Sequence, residues 1–190
     1  SSSRAFHTAR ARGARFEFVV ATDSHMYNVA PSSGSAGLMN DLGELVAAAA
    51  PDLFFDLGCT TMISEIASAR LSRNEVFEHA RGYRNFYGPF APSTPIFALA
   101  GPHEGENMAD WYAGANGTCC LAQWAADARA RFLPPPVAGG FYSGQSTSDA
   151  IAASPSNGLG AAVDVGNRHA YWAFEWGDVL FAGLDPWWYR

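Results

Sequence analysis

The chain is predicted to fold as an α/β domain, and three observations carry that prediction. Short runs rich in β-branched and aromatic residues occur at 15–23, 52–58 and 94–101, and each ends in a polar or glycine-containing cluster. Segments with apolar residues at helical spacing separate them, which is the order of a βαβαβ unit with parallel strands. Further on, two apolar runs flank Gly177-Asp178, the signature of an antiparallel hairpin.

"RFEFVVATD" (15–23) alternates and then turns apolar, as a strand entering a buried sheet does. "GLMNDLGELVAAAA" (37–50) places Leu38, Leu42, Leu45 and Val46 at helical spacing, and Pro51 ends it. "DLFFDLG" (52–58) is a second short buried strand. "SRNEVFEHARGYRNFYG" (72–88) opens with Ser72 and Glu75 in capping-box register and reads as a helix. "TPIFALAG" (94–101) is the third strand. "CLAQWAADARARFL" (120–133) is a helix with Leu121, Trp124, Ala125 and Ala128 on one face, stopped by a proline run at 134–136. A Gly/Ser-rich loop is expected from about 138 to 167, and "HAYWAFEWGDVLFAGLD" (169–185) forms the hairpin. A polar lead at 1–14 precedes this domain at 15–190.

At 190 residues the chain suffices for one domain with a real core. Its 48% hydrophobic and 14% aromatic content excludes a disordered chain. All 12 cationic residues are arginine, and the net charge is −6. The densest basic run is "TARARGAR" (8–15), so no nucleic-acid partner is expected. No apolar run approaches the roughly 20 residues of a membrane span. Cys59, Cys119 and Cys120 are an odd set with one adjacent pair, not a disulfide framework, and they leave the compartment open. Cys119 and Cys120 read as structural thiols.

The chemistry is expected where the three strands end: Asp23-Ser24-His25, Gly58-Cys59, and Gly101-Pro102-His103-Glu104. In an open parallel sheet, ligands collect beyond the carboxyl ends of the strands. Asp23 and His25, two apart on an extended segment, point the same way and suit a transition-metal ion. A lone Asp-x-His is a weak signal. The ordered set, with its surrounding strands, is a stronger one.

On these residues the sequence resembles the calcineurin-like metallophosphoesterases, especially a bacterial branch. "FVVATDSHMY" looks like that family's Asp-x-His strand, "PDLFFDLGCTTM" like its Gly-Asp segment, and "PIFALAGPHEGE" like its Gly-Asn-His-Glu segment. "AYWAFEWGDVLFAGLDPWWY" resembles the hairpin that follows, so the likeness runs from about 16 to 189. It implies a metallophosphoesterase sandwich and a metal-dependent phosphoric ester hydrolase. Two divalent ions (Mn, Fe or Zn) would clamp the ester phosphate and supply a metal-bound hydroxide as nucleophile. Asp23, His25 and position 59 would hold metal, and His103 would act as general acid near the leaving group.

The sequence departs from that pattern at two ligands. Cys59 stands where the family has the aspartate that bridges both ions, and Pro102 where it has an asparagine ligand. Proline has no side-chain donor or acceptor. Cys59 is open to three readings: a thiolate ligand to a softer ion, a nucleophile activated by His25 or His103, or a plain thiol. The family takes further histidine ligands from beyond the hairpin. The C-terminal part of the domain is therefore expected to be missing, with another chain or a further segment completing the sandwich, and Trp187, Trp188 and Tyr189 as aromatics awaiting cover. His7, His79 and His169 are expected as solvated or hydrogen-bonded histidines, and Glu104, Glu106 and Asp185 as surface acids. The resulting expectation is an impaired hydrolase domain; the alternative is a non-catalytic assembly module on a decayed phosphoesterase scaffold.

Overall fold

A computed structural model describes residues 6, 8–26, 34–66, 71–106, 121–136, 150–151, 163–164 and 171–184. His7, Cys119, Cys120, His169, Asp185, Trp187, Trp188 and Tyr189 lie outside the described residues.

Leu53–Asp56 (β2) is the centre of the domain because it is apolar enough to be buried on both faces. Phe18–Ala21 (β1) pairs with it in parallel on one side and Ile96–Ala98 (β3) in parallel on the other, giving the order β1-β2-β3. The period-two alternation of a strand splits the side chains of β2 between two layers. Phe54 faces Met39, Val46, Tyr83, Phe86, Tyr87 and Phe90 on the helical side. Leu53 and Phe55 face Trp172 and Trp176. Those tryptophans belong to an antiparallel hairpin of Tyr171–Trp176 (β6) and Val179–Leu184 (β7), the expected second sheet. Gly177 turns it at φ +61, and Gly183 leaves room for the Trp172 ring, which a Cβ would meet at 2.4 Å.

The helices are Gly34–Ala49 (α1), a single turn Ile63–Ile66 (α2), Arg73–Arg84 (α3) and Leu121–Phe132 (α4). Ser72 caps α3 as its sequence predicts: its hydroxyl accepts from the Glu75 N–H at 3.4 Å while the Glu75 carboxylate accepts from the Ser72 N–H at 2.7 Å. In α4 the predicted face is the packed one, with Leu121, Ala125 and Ala128 buried and Trp124 partly so.

Three expectations need correction. The buried face of α1 is Ala36, Met39 and Val46, with Leu38 and Leu45 72% and 68% exposed. Leu42 and Val46 keep their inward places, but the core sits on a stripe displaced from the leucines. β1 is an edge strand among the described residues and is only half-covered, with Phe18 and Val20 about half exposed. Within 138–167, expected as loop, Ala150–Ile151 (β4) and Val163–Asp164 (β5) pair antiparallel. No helix of the described residues is long and apolar enough to cross a membrane.

Candidate functional site

The hydrogen bonding between β1 and β2 continues beyond the strands. The N–H groups of Asp23, His25 and Met26 donate to the carbonyls of Gly58, Cys59 and Thr60 at 2.9, 3.1 and 2.8 Å. To follow one another round this corner, Asp23, His25 and Cys59 adopt φ of +62, +48 and +55. Such a conformation costs an L-residue on the order of 1–3 kcal/mol, and it collects at functional sites.

The consequence is convergence at one end of the sheet. His25 Nε2 donates to Asp23 Oδ1 at 2.8 Å. The His25 and His103 rings lie 5.6 Å apart, centroid to centroid, at 74°. His103 is held from its other side: Nδ1 is 3.1 Å from the Glu65 carboxylate and 3.3 Å from the Ser64 hydroxyl. Cys59 lies among the same groups. Its thiol pKa is pushed up, first by burial and then by the nearby Glu104 charge, with Asp23 adding to the rise and the His103 backbone N–H opposing it. The four residues picked out by the sequence, Asp23, His25, Cys59 and His103, are thus neighbours. His25 and Asp23 remain open to solvent, with side chains 40% and 64% exposed.

Beneath this surface lie residues whose burial sequence reasoning missed. Glu104, expected on the surface, is 5% exposed. Its carboxylate accepts backbone N–H bonds from Gly101 at 2.5 Å, Cys59 at 2.8 Å, Thr60 at 2.6 Å and Thr61 at 3.1 Å. Burial raises its pKa, and the four donors pull against that rise. Glu106, also expected on the surface, is 1% exposed and takes both Arg129 Nε and an Arg129 terminal nitrogen at 2.6 and 2.9 Å. Asp56 is buried as well. It accepts from the Gly58 N–H and Thr60 hydroxyl, both at 2.9 Å, from the Tyr83 hydroxyl at 3.1 Å and from the Tyr87 hydroxyl. Burial raises the Asp56 pKa and drives those of Tyr83 and Tyr87 well above the usual phenol value. The capping-box logic that located α3 had no counterpart for these acids; the one local hint was Glu104 three residues beyond a strand-end glycine. His79 is hydrogen-bonded, as expected, with Nε2 donating to the Thr61 carbonyl at 2.5 Å.

A cavity of about 30 Å³ lies under the turn, lined by Asp56, Thr60, Tyr83, Glu104, Glu106 and Arg129 among others. That is room for one or two waters. Asp23, His25, Cys59 and His103 do not line it.

In kind, the exposed donors suit one borderline divalent ion: a carboxylate oxygen, an imidazole nitrogen and a sulfur. In the arrangement seen, no three His, Cys, Asp or Glu side chains among the described residues are spaced to share an ion. His25 Nε2 is engaged by Asp23. Pro102 offers no side-chain donor or acceptor. No family model, curated protein or solved structure matches the chain.

Proposed function

We propose that the chain is a metal-dependent phosphoric ester hydrolase domain, impaired because it can ligate one divalent ion where the reaction uses two. The observation that supports it is the meeting of Asp23, His25, Cys59 and His103 beyond the tips of parallel strands, with left-handed backbone at three of them. A divalent ion held there would polarise the phosphoryl group and the attacking water.

The chain's own residues supply the rest. Asp23 would supply a carboxylate, His25 an imidazole and Cys59 a sulfur to such an ion. Glu65 and Ser64 engage His103 Nδ1. With both ring nitrogens protonated, Nε2–H would give its proton to the leaving oxygen and leave the ring neutral. The substrate class proposed is a phosphate ester, whose charge the ion would meet in a chain without lysine.

Turnover of an aryl phosphate with added Mn²⁺ or Zn²⁺ tests this. The unmodified chain should barely exceed the free ion, and Cys59→Asp combined with Pro102→Asn should raise chelator-sensitive turnover at least ~10-fold, about 1.4 kcal/mol. Robust turnover by the unmodified chain overturns the impairment. A folded, ion-loaded double variant with no gain overturns the hydrolase reading.

A second reading, a non-catalytic assembly module, is favoured by the half-exposed Phe18 and Val20 on the β1 edge. Sedimentation of a strictly monomeric chain would count against it.

A further inference from the structure

Residues 10–14 belong to the polar lead, yet they bond to both sheets. At one end Arg10 Nε donates to Asp52 Oδ1 at 2.6 Å, and the other oxygen of that carboxylate accepts the Glu17 N–H at 3.0 Å. The Asp52 N–H returns a bond to the Glu17 carbonyl at 2.8 Å, so Arg10 is tied to the place where β1 and β2 begin. The Asp52 side chain is 6% exposed and that of Arg10 35%, which withdraws this ion pair in part from the water that weakens surface pairs.

The chain then reverses. Ala14 N–H donates to the Ala11 carbonyl at 3.1 Å, and Gly13 takes φ +78, the left-handed value that the third position of a type II turn asks of glycine. The turn aims Gly13 N–H at the hairpin, where the Asp178 carboxylate accepts it. Among the described residues this is the one hydrogen bond that joins the hairpin to another segment. The fit at that corner is close: a Cβ on Gly177 would stand 3.6 Å from the Phe16 ring and 3.8 Å from the Ala11 carbonyl oxygen. The rest of the hairpin's attachment is aromatic, with Phe174 stacked on Phe97 at 4.3 Å and Phe181 on Phe55 at 5.0 Å, centroid to centroid. Apolar burial is non-directional, and a two-stranded hairpin by itself is marginal in water.

We propose that residues 10–14 are a strap that holds the β6–β7 hairpin on the parallel sheet, with clasps at Asp52 and Asp178. The strap lies where β1 and β2 begin, at the end of the sheet opposite the tips that carry Asp23 and Cys59. Its release lets the hairpin lift as a unit and uncovers Phe55 and Phe97, while the sheet and the helices keep their fold. The inference is independent of any cation and of the hydrolase reading.

Amide hydrogen exchange of the full 190-residue chain, read segment by segment by mass spectrometry, tests it. Arg10→Ala opens the clasp on the sheet and alters no residue of the hairpin. Amides of 171–184 should then exchange at least ~10-fold faster, with those of 53–56 and 73–84 unchanged. Asp178→Ala should act alike, and combining the two should add little, because either one alone releases the strap. Gly13→Ala adds a Cβ that meets nothing within 4 Å and disfavours only the turn's φ. It should loosen the hairpin more mildly, and it decides the matter where Arg10→Ala fails to fold. Arg15→Ala, which removes an exposed arginine paired with Glu17, should leave every rate as it was. Unchanged hairpin exchange in Arg10→Ala and Gly13→Ala overturns the inference. Acceleration confined to Asp178→Ala assigns the effect to the hairpin's own turn, and equal acceleration of all segments assigns it to global stability; either overturns it. Acceleration by Arg15→Ala equal to that by Arg10→Ala assigns it to net charge and overturns it too.

Discussion

The backbone N–H of Cys59 donates to the Glu104 carboxylate across 2.8 Å, joining the tips of two parallel strands through a side chain instead of a ladder bond. The sheet itself ends at Asp56 and Ala98, where the last register pair is found. Beyond it the chains must diverge to present side chains to solvent, and their N–H groups would be orphaned. A buried carboxylate accepting four of them removes that cost and fixes the direction in which Cys59 faces.

Close approach at that junction requires glycine. Gly58→Ala combines φ +87 with a Cβ 2.3 Å from Gly101 N and should destabilise the chain by about 3 kcal/mol in urea melts. Gly37→Ala, on α1 with nothing within 4 Å of the added Cβ, should instead stabilise by roughly 0.5–1 kcal/mol through helix propensity. Equal effects of the two would contradict the packing described.

Arg129 neutralises Glu106 where neither is accessible, the side chains being 9% and 1% exposed. Arg129→Met leaves a buried charge uncompensated and should cost about 3–5 kcal/mol. Adding Glu106→Met removes the orphan and should recover most of that loss in the same urea experiment. A single variant that melts with the unmodified chain would show the pair to be dispensable.

Stability should depend on pH through Asp56. Burial raises its native pKa, so the folded state holds the proton more tightly than the unfolded one. Its contribution is full below the ordinary carboxylate value of about 4 and is lost as pH rises through the raised native value. Glu104 has the same sign. His79 has the opposite one: burial lowers its pKa, so stability falls as pH drops below about 6.5 and through the native value. Asp56→Asn keeps an acceptor for Gly58 and Thr60 and offers its amide to the two tyrosine hydroxyls. Urea midpoints between about pH 4 and 8 should therefore decline less with rising pH in the variant. Parallel profiles would exclude Asp56 as the source.

The fold was legible where a local rule sufficed. Runs of Phe, Val and Ile marked the strands, Ser72 and Glu75 marked the start of α3, and Gly177 marked the hairpin turn. Asp23, His25, Cys59 and His103 were legible as a set because parallel strands end on the same side. Residues whose environment is built by distant chain were not. Glu104 is 43 to 45 positions from the three turn residues it binds, so nothing near it in sequence signals burial. Glu106 depends likewise on Arg129, 23 positions away. On α1, periodicity named several leucines, but which of two overlapping stripes faces the core is fixed by Phe54, Tyr83 and Phe86 on other elements.

The proposed function requires that the strand tips hold one ion. Elemental analysis of the folded chain, equilibrated with excess Zn²⁺ and then freed of unbound metal, tests it most directly. One zinc per chain, lost in both Asp23→Ala and Cys59→Ala while the fold persists, is the predicted result. No bound zinc, two per chain, or one that survives both substitutions would contradict it.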